Sequence, residues 1–133
     1  FSGALSAHEG GHQQAAPLVQ STVQINERYL TTVRPIFRQK CFDCHSDQTR
    51  YPWYYKVPVV QGMIDDDIDE GRRHLDLSRD FPFGGRYTPA EQLDAIRHVV
   101  RKNKMPLKRY RLFHPGSGLT PEEKTIILEW VEQ

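Results

Sequence analysis

Cys41-Phe42-Asp43-Cys44-His45 holds both cysteines of the 133-residue chain, and its Cys-x-x-Cys-His spacing is the attachment signature of a covalently bound c-type haem. In that chemistry the two thiols add across the haem vinyl groups as thioethers, and the histidine offers an imidazole nitrogen to the iron. Two other uses of a Cys-x-x-Cys pair fit the surroundings less well. A thioredoxin-like redox pair opens a helix in a βαβ unit, and no strand-helix alternation flanks these residues. A structural zinc site takes four protein ligands, and no further cysteine exists to supply them. The motif therefore nominates Cys41 and Cys44 as covalent anchors of one haem c and His45 as an iron ligand.

Length and composition agree with a domain built around a cofactor. A chain of 133 residues fits one domain, read as a flexible tail over residues 1–18 and a haem domain over 19–133. Hydrophobic residues make up 38% and mean hydropathy is −0.66, less apolar volume than a self-sufficient core wants, so a buried macrocycle would complete it. The net charge of +1 argues against nucleic acid as a partner. Locally, Arg97, Arg101, Lys102, Lys104, Lys108, Arg109 and Arg111 form a basic strip without an acid, and Asp65, Asp66, Asp67, Asp69 and Glu70 an acidic run. No stretch approaches the roughly 20 apolar residues that span a bilayer, so the sequence reads as soluble and without a transmembrane segment.

Helix signals recur along the chain. Val19 to Leu30 mixes alternating and helical spacing and stays undecided. Thr32 is placed to cap a helix with Pro35 in its first turn, leading into Cys41. The residues from Asp47 to Val57 read as a loop dense in aromatics. From Pro58, apolar residues at Val59, Val60, Met63, Ile64 and Ile68 follow helical spacing, with Met63 as core filler and Gly71 as terminator. Thr88-Pro89-Ala90-Glu91 and Thr120-Pro121-Glu122-Glu123 write the same helix start, a Thr cap, a Pro and a Glu at the third position. The first of these helices buries Leu93, Ile96, Val99 and Val100, and the second Ile126, Ile127, Trp130 and Val131.

Met105, followed by Pro106 in a loop between two helices, is the candidate distal ligand, because a thioether suits haem iron. His74 is the alternative. His8 and His12 lie in the tail, His98 beside a buried stripe, and His114 at a turn. His45 is expected to donate its other ring N–H to a carbonyl, here one in the Pro52–Pro58 loop. Trp53, Tyr54, Arg72 and Arg73 are candidates to bind the haem propionates, whose charge needs pairing when buried.

Cys41 to Ser46, Tyr51-Pro52-Trp53-Tyr54, Glu70 to Leu75, and Met105-Pro106 with Tyr110, Leu112, His114 and Pro115 together make the chain resemble the small haem-binding domain of bacterial exported proteins, itself similar to class I cytochromes c. The resemblance covers about residues 30–133. It implies an all-α, cytochrome c-like fold with long loops wrapped around one covalently attached haem, thioether links at Cys41 and Cys44, His45 as proximal ligand and Met105 as distal ligand. Leu107 departs from it, standing where such domains often carry a second proline, and the segment before residue 30 has no evident counterpart.

The expected function is outer-sphere electron transfer between ferric and ferrous iron by a mono-haem carrier rather than an enzyme. His/Met ligation raises the potential relative to a bis-His pair, and the basic strip would steer a redox partner protein with an acidic surface. The rival functions are a haem-based sensor or gas-binding module with Met105 displaced, and a small peroxidase-like enzyme using His74 as distal acid–base group. Resemblance to c-type cytochromes places the protein in the bacterial periplasm, exported by a signal peptide not present in this chain. Neither the oligomeric state nor the identity of the partners follows from the sequence.

Overall fold

The computed structural model describes residues 15–132; residues 1–14 of the expected tail, with His8 and His12, lie outside them. The fold is all-α. Its helices are α1 (Ala15–Arg28), α2 (Arg34–Lys40), α3 (Phe42–His45), α4 (Pro58–His74), α5 (Pro89–Arg101), α6 (Lys108–Phe113) and α7 (Pro121–Val131), with a 3-10 turn at Trp53–Lys56. None is long and apolar enough to cross a membrane among the described residues.

The undecided stretch before residue 30 is helical, and it runs into α2 without a break through a π-helical turn at Tyr29–Val33. The cause is Pro35. A proline inside a helix lacks the N–H that would continue the ladder and crowds the carbonyl four residues back; widening the preceding turn makes room. Arg34 N–H accordingly reaches back five residues to the Tyr29 carbonyl. Thr32, expected as an N-cap, lies within this rod, and its hydroxyl donates to the Arg28 carbonyl at 2.7 Å.

The other two caps form as the sequence spells them. Thr88 accepts the Glu91 N–H at the start of α5, and Thr120 and Glu123 make a reciprocal capping box at α7. α5 ends in a Schellman pairing, Lys104 N–H to the Val99 carbonyl and Asn103 N–H to that of Val100. Asn103 takes the left-handed conformation, φ 54°, that this motif requires and asparagine tolerates. This turn delivers the chain into the Met105 loop.

α5 packs on α7, and α7 on the π turn. Between them lies an aromatic core of Tyr29, Phe37, Phe81, Phe83 and Trp130. Tyr29 meets Phe83 edge-on at 5.0 Å and Trp130 meets Phe81 at 5.9 Å, arrangements that suit the ring quadrupoles. Trp130 Nε1–H donates to the Ile25 carbonyl, tying the last helix to the first. Gln92, unexpected inside, is satisfied there: its amide donates to the Phe83 and Tyr87 carbonyls, and its oxygen accepts the Phe83 N–H. Three residues of the expected apolar stripes are instead exposed, Val59, Met63 and Ile126. α4 leans on α3 and the 3-10 turn rather than on the aromatic core, so only Ile68 of its apolar stripe is buried.

Candidate functional site

The Cys-x-x-Cys-His run forms a single helical turn at the end of α2. Cys41 N–H still bonds to the Phe37 carbonyl, and the Cys41 carbonyl accepts the N–H groups of Cys44 and His45. Both thiols are unbridged. Burial pushes the Cys41 thiol up to about 12, helped by Cys44, and the Cys44 thiol up to about 11, so neither is an anionic ligand at neutral pH.

His45 is fixed by its backbone surroundings. Its Nδ1–H donates to the Leu75 carbonyl at 2.9 Å, and its own carbonyl accepts the Leu77 N–H at 2.6 Å. This corrects the carbonyl expected from the Pro52–Pro58 loop. Burial, only partly opposed by hydrogen bonds with Leu75 and Gly71, lowers its pKa and so favours the neutral ring. With Nδ1 engaged, Nε2 carries the available lone pair.

Gly71 brings α4 against this turn. A Cβ there would stand 2.7 Å from the Cys44 carbonyl oxygen and 3.4 Å from His45 Cε1. The residue read as a helix terminator is therefore inside α4, which runs three residues further to His74, and its lack of a side chain sets the distance between helix and motif. Gly85 works alike on the following loop: at φ 97°, its missing Cβ would meet the His74 carbonyl oxygen at 2.7 Å.

Cys41, Cys44, His45, Met105 and His74 all line one cavity of about 460 Å³. Core residues Phe37, Ile96, Val100 and Ile127 form its apolar wall, so whatever fills it completes the hydrophobic core. Asp67, Glu70, Arg109 and Tyr110 also line it. Here the acidic and basic runs meet, Asp67 pairing with Arg109. Tyr110 donates to Asp43 at 3.1 Å, and Asp43 also accepts the Arg50 N–H, bracing α6 against the motif.

The other expected site residues are engaged with partners of their own. His74 has both ring nitrogens engaged, Nδ1 with the Glu70 carbonyl and Nε2 with Arg86. Trp53, Tyr54, Arg72 and Arg73 do not line the cavity. Trp53 is exposed, with its ring edge-on to Tyr54; Tyr54 hydrogen-bonds His114 Nε2 at 2.8 Å; Arg72 pairs with Asp76 and Arg73 with Glu70. Within the basic strip Arg97 and Arg101 are held by Glu132.

The donor set fits haem. A volume in the range of roughly 300–1,000 Å³ typical of cofactor pockets, an apolar wall, two thiols, an oriented neutral imidazole and a thioether are what a haem site of this type requires. The sequence pattern of the haem-binding domain family matches residues 5–133. The chain belongs to this family. The match begins at residue 5 and so takes in the segment before residue 30. The chain is also similar to the cytochrome c peroxidase Ccp of Escherichia coli (strain K12), with 26% identity over 133 residues, 98% of this chain. It spans 28% of that relative's length. No solved structure matches the chain.

Proposed function

We propose that this haem-binding domain is a c-type electron carrier of the bacterial periplasm, with one haem bound covalently through Cys41 and Cys44 and ligated by His45 and Met105. The observation that carries the reading is the single cavity shared by the Cys41–His45 turn and Met105. Haem, when bound, supplies an iron that exchanges one electron between ferric and ferrous states.

The chain's own residues supply the rest. The Leu75 carbonyl holds the His45 ring plane and raises its basicity through Nδ1–H. Phe37, Ile96, Val100 and Ile127 exclude water from the cavity wall, and Gly71 lets α4 press on the motif. Met105 is a soft ligand on the loop fixed by the Schellman turn, and a His/Met pair suits a relatively oxidising potential. His74 is the weaker ligand because it would have to give up Arg86 to free Nε2. Lys102, Lys104 and Lys108, exposed around the Met105 loop, favour an acidic redox partner.

The relative's name supports a second reading, a peroxidase-like activity with His74 at the cavity as the acid–base group; a gas-sensing site with Met105 displaced shares its open coordination position. The ferric absorption spectrum separates them. A weak near-infrared band from sulfur-to-iron charge transfer is expected, and Met105→Ala should lower the reduction potential and admit CO to the ferrous protein. A high-spin ferric spectrum with rapid CO binding in the unaltered protein would refute the carrier reading, as would an unchanged spectrum and potential in Met105→Ala.

A further inference from the structure

The cavity has two ends, and α4 runs between them. Asp67, Glu70, Gly71 and His74 recur on one face of the helix, and all four line the cavity. Burial first and then Asp67 push the Cys44 thiol up, and Arg109 lowers it, so both charges stand near Cys44. Gly71 lies against the Cys44 carbonyl and the His45 ring. His74, the last residue of α4, is two turns beyond Asp67, about 10 Å along the axis. Lys40 and Arg109, the Lys and Arg side chains that line the cavity, belong to the thiol end. Each is occupied there, Lys40 by the Gly116 and Gly118 carbonyls and Arg109 by Asp67.

At the other end His74 and Tyr87 line the wall, their rings edge-on at 6.0 Å. Arg86 is held against both. His74 Nδ1–H donates to the Glu70 carbonyl at 2.8 Å, which leaves Nε2 to accept from the Arg86 guanidinium. The guanidinium carbon stands 5.6 Å over the Tyr87 ring, a cation–π contact. The Arg86 backbone N–H donates to the Arg73 carbonyl, and Gly85 lies close on the His74 carbonyl, so the segment is pressed on the end of α4. No carboxylate pairs with Arg86 among the described residues, because the neighbouring acids Glu70 and Asp76 hold Arg73 and Arg72. An arginine oriented in this way and left without a counter-ion is prepared for an anion.

Porphyrin chemistry supplies that anion. The vinyl groups that take up the thiols lie on two adjacent pyrrole rings, and the propionates lie on the other two, at the opposite edge. The inference rests on the covalent attachment proposed above: with Cys41 and Cys44 holding one edge, the propionate edge faces away from them, toward His74 and Tyr87. We infer that Arg86, oriented by His74 and Tyr87, binds a propionate of the attached haem, rather than Trp53, Tyr54, Arg72 or Arg73. Propionates extend beyond the macrocycle, so their partner stands outside the apolar wall, where Arg86 is exposed. A guanidinium offers a carboxylate parallel N–H groups, and the nitrogen spent on His74 leaves the rest of the fork free. His74 thereby serves as the residue that aims Arg86.

The test is resonance Raman spectroscopy of the holoprotein together with its reduction potential. Arg86→Gln should shift the propionate bending band and lower the potential, because the lost positive charge favoured the ferrous form. Arg86→Lys should restore the potential and not the band, since an ammonium keeps the charge without the planar fork. Arg109→Gln, at the thiol end, should leave the band in place. Arg86 is exposed, so its substitution leaves the core intact. A band unmoved by Arg86→Gln in protein whose haem stays attached in acid would overturn the inference and leave the carrier reading standing. An equal shift in Arg109→Gln would overturn it too, placing the propionates at the other end. Haem released by acid from the unaltered protein would remove the fixed edge and overturn the inference together with the covalent reading.

Discussion

Gly71 and Gly62 occupy the same helix and offer a paired experiment in which propensity and geometry disagree. Alanine favours a helix interior over glycine by about 0.5–1 kcal/mol, so propensity alone makes both Gly62→Ala and Gly71→Ala stabilising. At Gly62 nothing lies within 4 Å of the added Cβ, and the propensity gain should appear in full. At Gly71 the Cβ would stand 2.7 Å from the Cys44 carbonyl oxygen, against 3.4 Å for the start of ordinary contact, so about 0.7 Å must open between α4 and the Cys41–His45 turn. The obstacle is backbone, held by the His45–Leu75 and Leu77–His45 hydrogen bonds, and it cannot swing aside as a side chain would. Overpacking of this kind costs about 1–3 kcal/mol. After the propensity gain the net loss is about 1–2 kcal/mol, or roughly 3–8 °C in Tm for a chain of this length. Thermal unfolding followed by far-UV circular dichroism on the two variants and the parent protein gives the answer. Gly62→Ala should melt at or above the parent and Gly71→Ala several degrees below. If Gly71→Ala rises with Gly62→Ala, the close approach of α4 to the motif is refuted.

Thr120→Ala removes the capping box and should cost about 1 kcal/mol, read as a lowered denaturation midpoint at unchanged slope; no shift would mean the box contributes nothing in solution. Gln92→Leu leaves the Phe83 N–H without its partner in a buried setting and should cost at least about 2 kcal/mol, measured by the same denaturant titration. Asp76 is pushed up by burial, but this is outweighed by hydrogen bonds from Ser78 and Arg72, and its pKa falls below the usual carboxylate value. It therefore contributes stability that is complete above the unfolded-state pKa of about 3.9 and lost as pH falls below it. Asp76→Asn should flatten the acid limb of the stability curve, and an unaltered limb would count against that pairing.

The make-up of the site is legible where it is local. Five consecutive residues bring two thiols and an imidazole to one cavity, and the Thr-Pro-x-Glu starts of α5 and α7 predict caps that the structure contains, because such a cap is complete within four residues. What escaped depends on partners distant in sequence. Leu75 accepts from His45 across 30 residues, and no local pattern marks a carbonyl. Gly71 was visible only as a glycine near a helix end, where termination is the ordinary reading; its actual role needs α4 to be laid against α3. Pro35 signals a helix start in the sequence, whereas the π turn lets the helix run through it. Met63 and Ile126 carry helical spacing without burial, since periodicity identifies a face and not what covers it. Gln92 shows the reverse, a polar residue on a buried face whose partners, Phe83 and Tyr87, lie in an irregular loop.

Mass spectrometry of the acid-denatured, intact protein, purified after expression in a host that attaches c-type haem, tests the central claim most directly. The polypeptide plus one haem is expected, with the added mass mapping to a peptide that contains Cys41 and Cys44 and vanishing in the Cys41→Ala/Cys44→Ala double variant. Haem released by acid, leaving the mass of the bare polypeptide, would contradict covalent attachment at the motif.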